Sequence, residues 1–504
     1  MSPGRPSRGP NQTRRHEPER PAGRGGPWAT KQPDRARRVA YEALAAVHRE
    51  DAFANLALPR LLREHRVTGR DAALATELAY GTLRAEGQLD AIIAEAADRP
   101  MARIDPPARD GLRLGAYQLL HTRVPPHAAV ATTVDLVRAV APAAAGFANA
   151  VLRRLGEHDL AGWLARVAPA ADADPVGHLS LVQAHPAWIV RAFAESLGAD
   201  AATPGGFAEL GAVLAADNER PLVHLCARPG RITAAELAAR VGGSVGPWSP
   251  YAVHLPEGAP GELPEVVQGL AHVQDEGSQL VATALATAAL EGRDERWLDL
   301  CAGPGGKAAL LGCLAAERGA RVTAVEVAPH RAALVSRAVE GLPVDVVTAD
   351  GRMIDRDWYE QESAQRATMH WSAPQGWDRV LVDAPCTGLG SLRRRPESRW
   401  RREPGDLPPL TRLQRELLAA ALRAVRPGGL VAYVTCSPHP VETRVTVAET
   451  LRRAVDDLGR APELLDARPW LPVGLPELGD GPTVQLWPHR HGTDAMYLAV
   501  LRRR

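Results

Sequence analysis

The chain has 504 residues, 45% hydrophobic and 24% charged, with a formal net charge of +1. That length allows about three domains, and the balance of residues excludes collagenous, low-complexity and wholly disordered classes. No apolar run reaches the roughly 18 residues of a membrane span, and no apolar amino-terminal segment suggests a secretory leader, so neither is expected. Five cysteines form no CxxC pair and no Cys/His cluster with zinc-like spacing. An odd count in a large chain predicts reduced thiols, a cytoplasmic protein and no metal site.

Residues 1–34 hold seven Lys/Arg against three Asp/Glu amid Pro, Gly, Ser and Gln. Such a segment buries too little apolar surface to offset its ordering entropy and is read as a disordered basic arm. From 35 to 157 the apolar spacing is helical: Ala40, Leu44 and Val47, then Leu74, Leu78 and Leu83, then Leu112, Tyr117 and Leu119. Thr68-Gly69, Pro106-Pro107, Pro125-Pro126 and Pro142 mark the breaks between helices of an all-α domain. The Ala/Pro/Asp-rich stretch 158–180 reads as a linker. Residues 181–270 then read as a helical segment followed by a small α+β module, with strands at Leu222–Cys226 and Tyr251–Leu255 around a helix at Ala234–Val241.

From 271 to 504 strands and helices alternate, as in a doubly wound, Rossmann-like α/β domain. A short buried strand, Trp297–Leu300, runs into the tight turn Cys301-Ala302-Gly303-Pro304-Gly305-Gly306-Lys307, and a helix follows. Glycines there let backbone amides approach a ligand at a helix amino terminus. The spacing is neither the G-x-G-x-x-G of a dinucleotide site nor a P-loop, which excludes both. The next strand, Arg321–Val325, ends at Glu326, an acid able to accept both hydroxyls of a ribose. After the third, Val344–Val347, stands Asp350, able to receive an adenine amino group. Together they describe a pocket for an adenosyl ligand without phosphates. Lys307 is one of only two lysines, the other being Lys31.

Two further apolar runs, Arg379–Val382 and Leu430–Val434, read as neighbouring parallel strands. Each delivers a cysteine at its carboxyl end: Cys386 in Asp383-Ala384-Pro385-Cys386, and Cys436 in Thr435-Cys436-Ser437-Pro438. Ligands of an open α/β sheet bind at those ends. Two thiols facing one pocket suggest covalent chemistry on an electrophilic ring; the bland alternative is a pair of buried structural cysteines. Arg393, Arg394, Arg395 and Arg399, with Arg401 and Arg402, follow Cys386 closely.

Asp299–Lys307, Asp383–Cys386 with Thr387-Gly388, and Thr435-Cys436-Ser437 resemble the RNA cytosine-carbon-5 methyltransferases. The segments Ala36–Leu44, Ala73–Leu89, Asp105–Leu120 and Val130–Leu155, with Asn149 and Arg153, resemble the NusB family of RNA-binding helical domains. The whole chain from about Arg35 to Leu501 is similar to the RsmB type, which acts on 16S ribosomal RNA. The resemblance implies S-adenosylmethionine against Cys301, Ala302, Gly303, Pro304, Gly305, Gly306 and Lys307, with Glu326 on the ribose, Asp350 by the adenine and Asp383 nearby. It implies Cys436 as the nucleophile toward the pyrimidine, Cys386 as the thiol that assists product release, and Asp383 at the base edge. A lowered pKa is expected for Cys436. Beside such a pocket the arginine run, with Arg490 and His491, reads as a phosphate clamp for RNA. The protein is expected to be a monomer.

Four positions at three places depart from the family pattern: Glu326 for a commoner Asp, Thr443 for Asn, and Ala495-Met496 for Gly-Phe. Trp358–Trp377 reads as an inserted loop. Two alternatives stay open on sequence alone: the same chemistry on transfer RNA, and a noncatalytic RNA-binding or transcription factor on a methyltransferase shell. A DNA cytosine methyltransferase is disfavoured, because those enzymes attack with the Pro-Cys thiol and lack the Thr-Cys-Ser partner.

Overall fold

The computed structural model describes residues 34–199, 206–256, 258, 260–354 and 375–504. The basic arm, Asp34 apart, and most of the inserted segment Trp358–Trp377 lie outside the described residues.

The first domain has six helices: α1 (Arg35–Arg49), α2 (Ala54–Glu64), α3 (Gly69–Ala97), α4 (Pro106–His121), α5 (Pro126–Val140) and α6 (Ala145–Leu155). Pro106 and Pro126 open their helices, where a missing N–H costs nothing. Leu44, Leu78, Leu83, Leu112 and Leu152 meet in one apolar core. Beside it runs a buried charge cluster. The Arg113 guanidinium donates to both oxygens of Asp90, at 2.7 and 2.6 Å, and pairs with Glu86 at 2.9 Å. His48 places Nδ1 2.8 Å from Asp110 and Nε2 3.1 Å from Glu86.

The stretch 158–180, expected as a linker, is helical over much of its length. It carries α7 (Leu160–Val167) and the start of α8 (Pro175–Val182). Asp159 and Asp174 cap these helices, each accepting from a backbone amide three residues on, that of Gly162 and that of Gly177. Trp163, buried, donates its indole N–H to the Leu155 carbonyl at 2.9 Å and ties α7 to the first domain.

The module contains α9 (Ala187–Leu197), α10 (Ala208–Asn218), β1 (Val223–Ala227), α11 (Ala234–Val241), β2 (Ser244–Val245), β3 (Ala252–Leu255), α12 (Pro264–Val267) and β4 (Ala271–Val273). Its antiparallel sheet has the order β2-β3-β1-β4. Because β4 pairs with β1, the module extends past Val273, and the boundary expected after residue 270 moves accordingly.

The third domain begins with α13 (Glu276–Thr287), β5 (Arg296–Asp299), α14 (Gly306–Ala316), β6 (Arg321–Val325), α15 (Pro329–Ala338), β7 (Val344–Val347) and β8 (Trp377–Asp383). It continues through α16 (Ser398–Arg401), α17 (Leu407–Ala424), β9 (Val425–Thr435), α18 (Arg444–Leu458), β10 (Glu463–Leu465), β11 (Val484–Gln485), α19 (Pro488–His491) and β12 (Tyr497–Arg502). The sheet order is β10-β12-β9-β8-β5-β6-β7, with β11 on β12. The strands from β9 to β7 are parallel, whereas β12 runs antiparallel to β9 and β10 antiparallel to β12. The chain builds outward from β5 to β7, then returns to lay β8 on the other side of β5. That reversal opens a crevice at the carboxyl ends of β5 and β8, the place where open α/β sheets bind ligands.

Both ring nitrogens of His48 face carboxylates, so both must donate. Burial opposes its charged form, but hydrogen bonds to Asp110 and Glu86 prevail and hold its pKa up at about 9. The stabilisation is fully present below the unfolded value near 6.5 and is lost as pH rises through about 9, a change worth about 3 kcal/mol. Thermal melts should therefore show wild type well above His48→Gln at pH 6, with the gap closing by about pH 10.

Candidate active site

At the end of β5 the chain makes its glycine turn. Gly305 has φ +113°, a left-handed conformation that favours glycine, and Gly306 starts α14. The Gly303 amide donates to Glu326 Oε2 at 3.1 Å, and the Ala328 amide donates to Glu326 Oε1 at 3.0 Å. Two backbone amides thus fix an acid at the end of β6. A Cβ on Gly303 would stand 2.2 Å from Glu326 Oε2. Asp350 follows β7 but is engaged locally, accepting from the Arg352 amide and guanidinium, both at 3.0 Å.

Asp299, at the end of β5, is wholly buried, and neither carboxyl oxygen has a well-formed hydrogen bond, the Cys301 amide being only a weak donor to it. Burial, then the nearby Asp383 charge, pushes its pKa up to about 7. A buried carboxylate so poorly paired is rare and calls for an explanation. The turn, the amide-held Glu326 and this poorly paired acid fit an adenosyl ligand with a polar tail. Sequence reasoning used Asp299 only as part of a motif; its position one strand-end before a glycine turn was the available signal.

β8 and β9 are paired neighbours, Asp383 lying opposite Val434. Their ends bring Cys386 Sγ to 3.4 Å from Cys436 Sγ. Lys307, the lysine of the glycine turn, crosses to Asp383 and donates to Oδ2 at 2.8 Å. Burial opposes its charge, yet the Asp383 carboxylate holds the ammonium above its usual range. The Cys436 thiol is lowered, first by the hydrogen bond from Cys386 and also by Lys307; burial and the carboxylates of Asp383 and Asp494 oppose this. Cys386, its partner in that bond, is raised well above the ordinary thiol range, first by the bond to Cys436 and then by burial. Of the two, Cys436 is the thiol whose anion the surroundings favour and Cys386 the one whose anion they disfavour.

Glu442 holds the two cysteine loops together, and sequence reasoning passed over it. Wholly buried, it accepts from the Thr387 amide at 2.8 Å, the Thr387 hydroxyl at 2.5 Å, the Ser437 hydroxyl at 2.6 Å and the Gln414 amide group at 3.0 Å. Gly390 threads between the loops: its amide donates to the Cys436 carbonyl at 2.8 Å, and its carbonyl accepts from the Ala495 amide at 2.9 Å. A Cβ there would lie 2.1 Å from the Ala495 oxygen. Ala495 and Met496, the departures noted in the last loop, are both buried. Thr443 is buried too, its hydroxyl donating to the His439 carbonyl at 3.0 Å.

The arginine run does not form one clamp. Arg393 is buried and donates to the Gly492 carbonyl at 2.7 Å. Arg394 forms an ion pair with buried Asp494. Arg395 is exposed, its guanidinium 5.7 Å from the centre of the Phe53 ring. Arg399 is wholly buried against main-chain carbonyls, so a direct phosphate contact by it is ruled out. Arg490 pairs with Glu209 and Glu477, and His491 is buried with carbonyl partners. Among the described residues no cluster of His, Cys, Asp and Glu could hold a metal ion, and no helix is long and apolar enough to cross a membrane.

An open sheet carrying an adenosyl-type crevice beside a thiol pair defines a methyltransferase fold and site. Residues 287–502 match the family described as 16S rRNA methyltransferase RsmB/F, and residues 34–157 match the NusB family. Rv1407 of Mycobacterium tuberculosis, a protein named as a methyltransferase, is 55% identical over 93% of this chain and 97% of its own length. Ribosomal RNA small subunit methyltransferase B of Sodalis glossinidius is 33% identical, over 83% of this chain and 90% of its own. The crystal structure of PH0851 shares the fold with a TM-score of 0.72 at 21% identity, covering 94% of this chain and 99% of that one. The chain belongs to the RsmB/F family of RNA methyltransferases, joined to an amino-terminal NusB domain. Membership in that family implies S-adenosylmethionine as methyl donor.

Replacing Glu442 by Gln puts an N–H₂ group among donors. Glu442→Gln should cost roughly 2 kcal/mol of stability and lower kcat at least tenfold, with KM for RNA within about twofold, checked by melting and steady-state kinetics.

Proposed function

We propose that this protein transfers a methyl group from S-adenosylmethionine to carbon 5 of a cytosine in 16S ribosomal RNA, through a covalent bond between Cys436 and the base. The observation that carries the reading is the 3.4 Å thiol pair, with Cys436 lowered and Cys386 raised.

Asp299, Glu326 and the backbone of Cys301–Lys307 would hold the methyl donor, with Asp350 at the adenine end once Arg352 yields to it. Bound there, the donor supplies a sulfonium methyl as electrophile. Carbon 5 of cytosine is a weak nucleophile, and the protein's task is to strengthen it. The Cys436 thiolate adds to carbon 6, forming a C–S bond and shifting the ring double-bond electrons toward carbon 5. Asp383, braced by Lys307, hydrogen-bonds the exocyclic amine or protonated nitrogen 3 and so stabilises the electron-rich ring. Carbon 5 would then take the methyl group as the sulfonium C–S bond breaks, leaving a neutral thioether in the crevice. Its proton leaves to solvent, the double bond re-forms and the C–S bond breaks, returning the electron pair to Cys436. Cys386, 3.4 Å away, donates its S–H to the departing thiolate and stabilises it. The target base must be unstacked to reach both sulfurs. Arg395 and the amino-terminal NusB domain are the RNA-facing parts in this reading, and Arg393 and Arg394 support the pocket wall.

Incubated with 16S rRNA and methyl donor, Cys386→Ala should accumulate a denaturation-resistant protein–RNA adduct, while Cys436→Ala should form none and lose turnover. The reverse pattern on gels would overturn the roles. Sequencing of 5-methylcytosine in ribosomal and transfer RNA, with and without the protein, should show loss at one 16S site; loss in transfer RNA alone would move the substrate. Gly303→Ala, which displaces Glu326, should weaken S-adenosylmethionine binding at least tenfold by calorimetry while leaving the fold intact by circular dichroism.

A further inference from the structure

The loop that carries Cys386 leaves β8 and ends in the four-residue helix α16. A helix that short has no stability of its own. Its anchors are all outside the sheet. Arg399 is wholly buried, and its Nη1 donates to the carbonyls of Arg84 in α3 and Ala184 in the α8–α9 turn, both at 3.2 Å, and to Asn218 Oδ1 at 2.6 Å. Its Nη2 donates to the Asp217 carbonyl at 2.6 Å. One guanidinium thus joins the helical domain, the connecting turn and the module.

The residues on either side repeat the pattern. The Trp400 indole N–H donates to the Leu83 carbonyl at 2.7 Å, and its ring fills the space where a Cβ on Gly87 would come within 2.5 Å. Arg401 donates to the carbonyls of Val47 and Ala52, at 2.8 and 2.5 Å, and Glu397 accepts from the Ala54 amide at 3.2 Å. Burying a cation is costly even with the Asp217 carboxylate near it, and an apolar residue of similar volume would pack there more cheaply. A guanidinium specifies what an apolar residue does not: several carbonyls at fixed angles.

We infer that Arg399 is a positioning residue: it fastens the Cys386 loop to the NusB domain, so that the thiol pair keeps its register only while that domain is docked. The inference rests on the proposed role of Cys386 in product release. Loosening the anchor lets Cys386 drift from the Cys436 sulfur, which slows breakage of the C–S bond more than its formation.

The test uses the full-length protein with 16S rRNA and compares wild type, Cys386→Ala, Arg399→Met and Trp400→Phe. Arg399→Met should raise the steady-state fraction of covalent adduct at least fivefold and lower kcat about tenfold, with KM for RNA and for S-adenosylmethionine within twofold. Trp400→Phe, which loses only the bond to Leu83, should shift the adduct fraction the same way by about twofold, and it decides the matter if Arg399→Met does not fold. Adduct fraction and kcat at wild-type levels, or a raised KM for RNA with unchanged adduct fraction, would overturn the positioning role. Absence of adduct in Cys386→Ala would instead defeat the underlying reading of Cys386, so the two failures are distinguishable.

Discussion

Glu442 sits where the loops after β8 and β9 would otherwise separate, and its four accepted hydrogen bonds fix their spacing. Strand pairing brings the loops close, but backbone register alone does not set the distance between two side chains beyond the strand ends. A buried carboxylate needs donors from both sides, and leaving any of them unmet costs more than the bond itself contributes. Gly390 adds a second constraint by lying flat between the Cys436 and Ala495 backbones. These two features set the sulfur–sulfur contact at its near end, and the Arg399 anchor holds the far end of the same Cys386 loop.

Around that contact the charges are arranged in opposition. Lys307 and the Cys386 S–H favour an anion at Cys436, while Asp383, Asp494 and burial disfavour it. Lys307 satisfies Asp383 directly, and Arg394 satisfies Asp494, so the two nearest carboxylates are largely neutralised. The site can then hold a thiolate without becoming a strongly negative cavity that repels the phosphates of RNA. Asp299 is the exception, buried beside the turn without a well-formed hydrogen bond of its own.

Much of the third domain was legible because its strands are continuous β-branched runs bounded by glycine and acid. The expected spans Arg321–Val325 and Val344–Val347 coincide with β6 and β7, and Ala234–Val241 with α11. The cysteine, glycine-turn and acid positions all fall at strand ends on one edge. The segment 158–180 was misread because Ala, Pro and Asp were weighed as composition; Asp159 and Asp174 as helix caps were the overlooked signal. The arginine run was misread for a different reason. Consecutive arginines look alike in sequence, but Arg393, Arg394, Arg395 and Arg399 meet a carbonyl, a carboxylate, an aromatic ring and a three-way junction, all supplied by distant chain. Glu442 was invisible on the same grounds, since its partners come from three separate segments.

Lysine is nearly absent from this sequence, and the one lysine among the described residues is Lys307. Isotope labelling confined to lysine would therefore yield a spectrum of only two ammonium signals, one of them arising between Asp383 and the reactive sulfur. Few enzymes offer such an isolated spectroscopic reporter, native to the chain and free of engineered tags, at the centre of their chemistry.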